Sequence, residues 1–264
     1  MTLLHAILLG ALQGLTEFLP ISSDGHLSLL QPFLAVDLGG REFLAFEIVL
    51  HAGSLLALLL CYGRTWWELA TSPFTGEREK QRLLLALALA TVPGVVAGLL
   101  FEDALSGFRS PAALGVGFIV TASVLVAGER FAAASKDQRL SIGFLPALLV
   151  GVAQALALLP SLSRSGLTVS AGRLAGLSRR QALDFSFLMA APILAGAVML
   201  VSLRALSGEV SLPPANLTVA GFLSSLGVSL VTVLTLRRAV ARFPLSLFAW
   251  YLVPLGLLCL IALR

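Results

Sequence analysis

Apolar segments long enough to cross a bilayer recur along this chain and limit what it can fold into. A helix needs about 20 consecutive apolar residues to span the hydrocarbon core. Six uninterrupted segments have that character: residues 43–63, 83–101, 111–129, 182–203, 216–236 and 245–263. Only 12% of the 264 residues are charged, against about 25% in soluble domains. The sequence therefore predicts an all-α polytopic membrane protein that forms one integral membrane domain.

Two further apolar segments, residues 3–30 and 142–172, are each interrupted by a polar cluster beside a proline. In the first, Pro20 precedes a serine pair; in the second, Pro160 precedes the sequence SLSRS. Irregular backbone cannot face lipid, because its polar groups would lack hydrogen-bond partners. We therefore expect two re-entrant helical hairpins that line a cavity inside the protein.

The two interrupted segments resemble each other at an offset of 141 residues. The identical pairs are Gly10 and Gly151, Gln13 and Gln154, Leu15 and Leu156, Ser22 and Ser163, and Gly25 and Gly166. Chance can produce such identities in a Leu-, Ala- and Gly-rich chain, but the shared order of half-helix, proline, serines and glycine favours duplication. Three predicted spans separate the segments, so the hairpins would enter from opposite faces. This predicts inverted-topology repeats, about residues 1–130 and 142–264, with a site near the membrane midplane.

The distribution of basic residues predicts the orientation. In this topology, thirteen of the 18 basic residues lie on one side of the membrane, and only Arg41, Arg109, Arg204 and Arg264 lie on the other. The positive-inside rule makes the basic side cytoplasmic, so both termini are expected outside. The same bias accounts for the net charge of +4 without a nucleic-acid partner. Arg164 is left within a hairpin, at membrane depth.

The first interruption, in the stretch TEFLPISSDGHLSLL, gathers ionisable and hydroxyl side chains. Gln13 and Glu17 lie four residues apart and share a helical face. Intramembrane ionisable groups are usually functional, although an interhelical polar clamp is the structural alternative. His26 follows Ser22 and Ser23 and is expected to approach Ser23 or Glu17. Elsewhere, His5 is expected near the membrane interface, and His51 is interpreted equally well as a support for the site or as a structural residue.

The second interruption, in the stretch PSLSRSGLTVS, has the composition of an anion site. Arg164 offers a planar fork of donors suited to phosphate or carboxylate. Hydroxyls surround it, on Ser163, Ser165 and Thr168, and Gly166 lets backbone amides at a helix start approach an anion. The alternative is that Arg164 only neutralises Glu17 across the two tips. Together the two clusters contain the parts of a phosphoryl-transfer site.

Four stretches resemble the undecaprenyl-diphosphate phosphatase family, the bacitracin-resistance proteins. They are LQGLTEFLPISSDGHL (12–27), FEIVLHAGSLLA (46–57), LPSLSRSGLTVSAG (159–172) and LDFSFLMAAPILAGA (183–197). The resemblance implies six spanning helices plus re-entrant pairs in interlocked inverted repeats. It implies hydrolysis of undecaprenyl diphosphate to undecaprenyl phosphate and phosphate in the bacterial inner membrane. That reaction recycles the lipid carrier of peptidoglycan and other cell-wall polymers, and confers bacitracin resistance.

The family's motifs fall on particular residues of this chain. Its E/Q-x-x-x-E element falls on Gln13 and Glu17, and its P-x-S-S-x-G-H element on Pro20, Ser22, Ser23, Gly25 and His26. Its P-G-x-S-R-S-x-x-T element falls on Pro160, Ser163, Arg164, Ser165 and Thr168. This chain departs from the family pattern at Ser161, where the family usually has glycine. A serine is disfavoured if φ is positive, so the departure puts the local loop geometry in doubt but not the chemistry.

The resemblance and the residue chemistry together give each candidate a role. Ser23 is the candidate nucleophile or water-positioning group, and His26 the general base or acid. Arg164, with Ser163, Ser165 and Thr168, is expected to hold the terminal phosphate. Glu17 either orients His26 or, with Gln13, binds Mg²⁺ or Ca²⁺; Gln13 and Ser22 are secondary site residues.

Three further expectations concern function and partners. The expected partners are undecaprenyl diphosphate and membrane lipids, and the oligomeric state, a homodimer included, is left open. The cavity is expected to open on the periplasmic side, as the outward termini suggest. The rival interpretation is a polyprenyl-phosphate transporter or flippase, because broken helices in inverted repeats are common in transporters.

Overall fold

The computed structural model describes residues 1–34, 40–106, 110–132, 142–159 and 161–262, with the side chains of 40, 41, 101–106 and 262 left out. The regular structure in these ranges is entirely helical. The helices are α1 (Leu3–Thr16), α2 (Ser23–Phe33), α3 (Gly40–Thr75), α4 (Arg78–Ser106), α5 (Pro111–Arg130), α6 (Phe144–Leu156), α7 (Arg164–Leu174), α8 (Arg179–Leu206), α9 (Ala215–Ala239) and α10 (Ala249–Ala262). A 3₁₀ turn, Leu245–Phe248, precedes α10. The all-α prediction is confirmed.

Five helices in the described residues are long and apolar enough to cross a membrane. They are Glu42–Thr75, Arg78–Leu100, Pro111–Arg130, Arg179–Leu206 and Ala215–Ala239, and each corresponds to one predicted span. The sixth predicted span, 245–263, is shorter in the structure: Leu245–Ile261 belongs to the shorter apolar helices. Its first residues form the 3₁₀ turn that follows Pro244, so the regular α-helix begins only at Ala249.

Both predicted interruptions are present. The chain leaves α1 after Thr16 and enters α2 at Ser23; it leaves α6 after Leu156 and enters α7 at Arg164. Two non-glycine residues there have positive φ, Ser22 at 71° and Ser161 at 57°. Such left-handed backbone costs about 1–3 kcal/mol in a residue with a Cβ and needs support from its surroundings. The concern raised for Ser161 is therefore confirmed, whereas Pro160 lies outside the described residues.

The basic segment 64–82, which the sequence predicts as a cytoplasmic loop, is mostly helical. Helix α3 continues to Thr75, and α4 begins at Arg78 after a turn at Gly76, whose φ is +73°. Charges at helical spacing explain the extension, because Arg64 lies 2.8 Å from Glu68 one turn later. Four other basic residues used for the orientation, Arg109, Lys136, Arg139 and Arg264, lie outside the described residues, and the side chain of Arg41 is not described.

Helices of the first half pack against helices of the second through glycine. Helix α1 lies against α9, and α6 lies against α4. A Cβ added at Gly10 would overlap the carbonyl oxygen of Gly221; one added at Gly151 would overlap that of Ala90. Gly10 and Gly151 are a pair in the 141-residue alignment, so equivalent positions make equivalent close approaches. Common origin and inverted orientation of the halves stay predictions.

Candidate active site

The two interruptions bring two helix starts together. Ser22 caps α2 by accepting a hydrogen bond from the Gly25 amide (3.3 Å), and Ser163 caps α7 by accepting one from the Gly166 amide (3.1 Å). The first helical residues are consequently Ser23 and Arg164. Both the caps and the first residues are 141 positions apart. The tips are also joined directly, because Ser165 Oγ donates to the carbonyl oxygen of Leu19 (3.0 Å).

Glu17 is the centre of the site. Its carboxylate is buried, with a side chain only 4% exposed. Oε2 accepts hydrogen bonds from Gln13 Nε2 (2.9 Å) and Ser23 Oγ (2.7 Å) and lies 3.4 Å from His51 Nε2. Oε1 lies 2.5 Å from Arg164 Nη2. The structure thus brings Gln13, Glu17, Ser23 and Arg164 together as the sequence predicts.

Arg164 pairs with Glu17 but keeps donors available. The pair is the structural alternative that the sequence left open for this arginine. Among the described residues, Arg164 bonds to another side chain only through Nη2, and its own side chain is 16% exposed. A guanidinium carries five N–H groups in a fixed fork, so donors remain for a bound oxyanion. Pairing with Glu17 and binding of phosphate are therefore compatible.

The hydroxyls around Arg164 bond mainly within the protein. Ser163 Oγ lies 3.2 Å from Ser165 Oγ, and Thr168 Oγ1 donates to the Arg164 carbonyl (2.7 Å) and lies 2.7 Å from Ser186 Oγ. All four hydroxyl side chains are buried. These contacts fix the start of α7 and hence the position of Arg164. The part of Ser163, Ser165 and Thr168 as phosphate ligands stays a prediction.

Thr121 is a supporting residue that the sequence did not indicate. Its Oγ1 accepts a hydrogen bond from the Ser163 amide (3.0 Å) and donates to the Ser161 carbonyl (3.4 Å). It comes from α5 and is fully buried. Thr121 thereby supports the strained turn at Ser161, but a threonine inside a predicted span carries no signal of such a contact.

His26 has other partners than those expected. Its Nδ1 lies 2.7 Å from the Ser22 carbonyl oxygen, and its Nε2 lies 2.7 Å from the hydroxyl of Tyr251 on α10. The His26 and Tyr251 rings stack with centroids 5.6 Å apart. In the described part of the chain, no hydrogen bond joins His26 to Ser23 or Glu17, so the expected approach is not found. The role of His26 as acid or base stays a prediction, and Tyr251 is a partner of His26 that the sequence did not indicate.

Of the other two histidines, His51 lies at the site and His5 does not. His51, on α3, contacts Glu17, which favours the first of its two interpretations. His5 belongs to the start of α1, where its amide donates to Thr2 Oγ1 (3.3 Å) and its ring accepts from the Thr2 amide. His5 therefore belongs to the N-terminal cap of α1, at the end of that helix opposite the first interruption.

The donors around Glu17 do not suit a resident divalent cation. Ca²⁺ and Mg²⁺ take six or more oxygen ligands, with water completing what the protein does not supply. Here Glu17 faces four nitrogen and hydroxyl donors, from Gln13, Ser23, His51 and Arg164. Gln13 Oε1 has no hydrogen-bond partner among the described residues. The described residues also contain no group of three His, Cys, Asp or Glu side chains that would hold a metal. Gln13 and Glu17 alone do not fit the expected metal site.

Aromatic packing fills the interior next to the site. Phe18, directly after Glu17, packs edge-on against Phe187 with ring centroids 5.1 Å apart, and Phe187 packs against Tyr62 at 6.3 Å. The Tyr62 hydroxyl donates to Asp184, whose carboxylate also lies 3.1 Å from Arg237 Nε. All three aromatic side chains are buried. A close-packed layer and an ion pair thus separate Glu17 from the end of the bundle that carries Arg237.

Fold and site together define a helical membrane protein in which a buried carboxylate and a partly buried serine and arginine form a site suited to an anionic, phosphate-bearing substrate. Comparison with known proteins specifies it further. The chain belongs to the family described as bacitracin resistance protein BacA, whose model matches residues 6–258.

Curated relatives cover nearly the whole chain. The undecaprenyl-diphosphatase of Rubrobacter xylanophilus is 40% identical over 264 residues, covering 94% of each protein. That of Gemmatimonas aurantiaca is 40% identical and covers 97% of this chain and 96% of its own length. That of Acinetobacter baumannii is 36% identical, with 98% and 95% covered. Similarity of this extent leaves no large part of the fold unmatched.

Proposed function

We propose that this protein hydrolyses undecaprenyl diphosphate to undecaprenyl phosphate and phosphate, and so recycles the lipid carrier of cell-wall synthesis. The observation that carries the proposal is the Ser23 Oγ–Glu17 Oε2 hydrogen bond of 2.7 Å beside the Arg164 guanidinium. A hydroxyl, a base and an anion clamp within one partly buried cluster are what phosphoryl transfer requires. The names of the relatives, undecaprenyl-diphosphatases at 35–40% identity, support the substrate.

The diphosphate is held where the two helix starts meet. The amides at the starts of α2 and α7 favour negative charge, and Arg164, the first residue of α7, keeps donors that it does not use on Glu17. Arg164 binds the terminal phosphate. Ser163, Ser165 and Thr168 position Arg164, and their hydroxyls donate to the phosphate where they reach the phosphate. The undecaprenyl chain lies against the apolar helices, in contact with membrane lipids.

Glu17 accepts the proton that the nucleophile, Ser23 or water, loses during the reaction. In one route, Ser23 Oγ attacks the terminal phosphorus, its proton passes to Glu17, and the bond from phosphorus to the bridging oxygen breaks. Undecaprenyl phosphate leaves with the bridging oxygen, and water then hydrolyses the phosphoserine to release phosphate and free Ser23. In the other route, Ser23 positions a water that attacks directly, with Glu17 again as the proton acceptor. His26, held by Tyr251, serves as the acid or base that completes proton transfer.

The expected divalent cation, Mg²⁺ or Ca²⁺, is part of the proposal as a companion of the substrate. A diphosphate brings several oxygen ligands of its own, whereas Gln13 and Glu17 offer few. The cation would neutralise the charge of the diphosphate.

A hydrolase explains the cluster better than a polyprenyl-phosphate transporter does. A carrier of anions needs Arg164 but not a serine bonded to a buried carboxylate. A flippase must also open a path to both faces, and Phe18, Phe187 and Tyr62 pack closely on one side of the site.

Phosphate release from undecaprenyl diphosphate by the purified protein in detergent tests the function. We expect release by the wild type, loss in Ser23→Ala, and a lower rate with EDTA that returns when Mg²⁺ or Ca²⁺ is restored. Ser28→Ala is the matched control, because Ser28 lies on the same helix and its Oγ has no hydrogen-bond partner among the described residues. Absence of release from the wild type under every cation condition contradicts the proposal.

The proposed location is the bacterial inner membrane, with both termini and the opening of the site on the periplasmic side. Cysteine labelling of intact cells tests the orientation, in a background where Cys61 and Cys259 are replaced. A membrane-impermeant reagent should label a cysteine at position 2 but not one at position 77, in the turn between α3 and α4. Labelling at 77 alone would reverse the orientation and the periplasmic site with it.

A further inference from the structure

His51 reaches Glu17 from a helix outside the two interrupted segments. It lies on α3, and its Nε2 is 3.4 Å from Glu17 Oε2. Its Nδ1 is 2.8 Å from the carbonyl oxygen of Glu47, one turn earlier on the same helix. The ring is therefore fixed between two acceptors, with its side chain 21% exposed.

The two acceptors determine the charge that His51 brings. A carbonyl oxygen and a carboxylate oxygen accept hydrogen bonds and donate none, so each ring nitrogen needs a proton to face its partner. An imidazole with both nitrogens protonated is a cation. Glu17 consequently lies between two positive side chains, Arg164 at Oε1 and His51 at Oε2.

The donors around Glu17 Oε2 disfavour a metal ion at this oxygen. Oε2 already meets His51, Gln13 Nε2 and Ser23 Oγ, and a divalent cation there would be repelled by both neighbouring charges. The family's first motif allows a carboxylate at position 13, but this chain has an amide that donates to Glu17 instead of adding negative charge. Removing a ligand charge and adding a cation both weaken metal binding.

We infer that His51 is a positioning residue that acts as a built-in cation, holding the Glu17 carboxylate on Ser23 in place of a resident divalent ion. The expected effect on kcat rests on the proposed hydrolysis. The expected effect on metal binding does not depend on any substrate. His51 contacts Glu17, and among the described residues no hydrogen bond joins it to Ser23. Its effect reaches the reaction through the orientation of Oε2 toward Ser23 Oγ.

Kinetics of His51→Gln test the positioning role. Glutamine can still donate to Glu17 but brings no charge, so we expect kcat to fall by about tenfold or more, with KM changed by less than about threefold because Arg164 is untouched. His5→Gln is the matched control and should leave both constants unchanged. A His51→Gln enzyme with wild-type kcat overturns the inference.

Coupling to Ser23 separates positioning from mere stability. If His51 acts through Glu17 on Ser23, then Ser23→Ala/His51→Gln should be little slower than Ser23→Ala alone, since residues that act as a unit are not additive. A structural role would instead multiply the two losses and lower the thermal unfolding midpoint. That result counts against the inference.

Binding of Mn²⁺, followed by electron paramagnetic resonance without lipid substrate, tests the built-in cation directly. We expect the wild type to bind no Mn²⁺ tighter than about 0.1 mM, and Gln13→Glu/His51→Gln to bind it measurably more tightly. Tight wild-type binding that Glu17→Gln abolishes would show a resident metal site and overturn the inference. Since no substrate is used, this result stands whether or not the wild type hydrolyses undecaprenyl diphosphate.

Discussion

Arg164 Nη2 lies 2.5 Å from Glu17 Oε1, and this ion pair joins the two interrupted segments across the protein interior. Both side chains are largely buried, and each charge offsets part of the cost of burying the other. The pair orients the guanidinium before substrate arrives, which reduces the entropy lost when phosphate binds. Binding and catalysis are thus linked, because one residue holds the phosphate and the other receives the proton.

The first prediction is that Arg164→Lys retains the fold but loses about hundredfold in kcat/KM, the loss typical of removing one charge-assisted donor from an oxyanion. Lysine keeps the charge that Glu17 needs but cannot bond to Glu17 and to phosphate through one planar fork. Phosphate release and detergent-solubilised thermal unfolding would be measured together. Arg180→Lys, exposed on α8, is the control. Near-wild-type turnover would mean that Arg164 is only a counter-ion.

The second prediction concerns the glycine contacts between the halves. Gly10→Ala and Gly151→Ala should each destabilise the protein by about 1–3 kcal/mol, because the added Cβ meets backbone that must move. Gly227→Ala, in α9, is the control and should be neutral or stabilising, because no atom of the described residues lies within 4 Å of the added Cβ. Thermal unfolding midpoints in one detergent provide the comparison. Unchanged midpoints in both tight variants would show that α1 and α6 shift without cost.

Local sequence signals predicted much of this architecture. Length and hydropathy located five spanning helices, and Pro20 with its serines located the first interruption. The residues of one tip, Gln13, Glu17 and Ser23, were recognised as a group because they are close in the chain. The pair between Glu17 and Arg164 was foreseen only as one of two alternatives.

Contacts between distant apolar helices were not predictable in the same way. Tyr251 meets His26 across 225 positions, and Thr121 supports Ser163 across 42, but neither side chain departs from the composition of its helix. The end of α3 was also misjudged, because charges such as Arg64 and Glu68 mark a membrane boundary and stabilise a helix equally well. Such contacts depend on how the helices pack, which a single sequence does not specify.

The third prediction tests the partner of His26. Tyr251→Phe removes one hydroxyl that meets His26 Nε2 and leaves the stacked ring in place. Loss of a hydrogen bond of about 1 kcal/mol should reduce kcat by about three- to tenfold, with KM unchanged. Trp250→Phe, at the neighbouring, exposed position, is the matched control. If Tyr251→Phe raises KM alone, Tyr251 contacts the lipid and does not serve His26.

The last prediction asks which residues act as one catalytic unit. Ser23 and Glu17 share a hydrogen bond, so Ser23→Ala and Glu17→Gln should each remove most hydrolysis, and their combination should be little worse than the poorer single variant. His26 bonds to Ser22 and Tyr251 instead, so His26→Ala should multiply with the loss in Ser23→Ala. Binding of the diphosphate lipid should largely survive in all of them, because Arg164 remains.

Hydrolysis and lipid binding measured side by side on these variants distinguish the outcomes. Non-additivity between His26→Ala and Ser23→Ala would place His26 in one catalytic unit with Ser23. His26 would then have to leave Tyr251 and bond to Ser23 during turnover. Wild-type hydrolysis in Ser23→Ala and His26→Ala, with lipid transfer abolished, would identify the cluster as a transport gate. Retained binding with hydrolysis lost is the result expected of an enzyme, because Ser23 and Glu17 act on the phosphorus while Arg164 holds it.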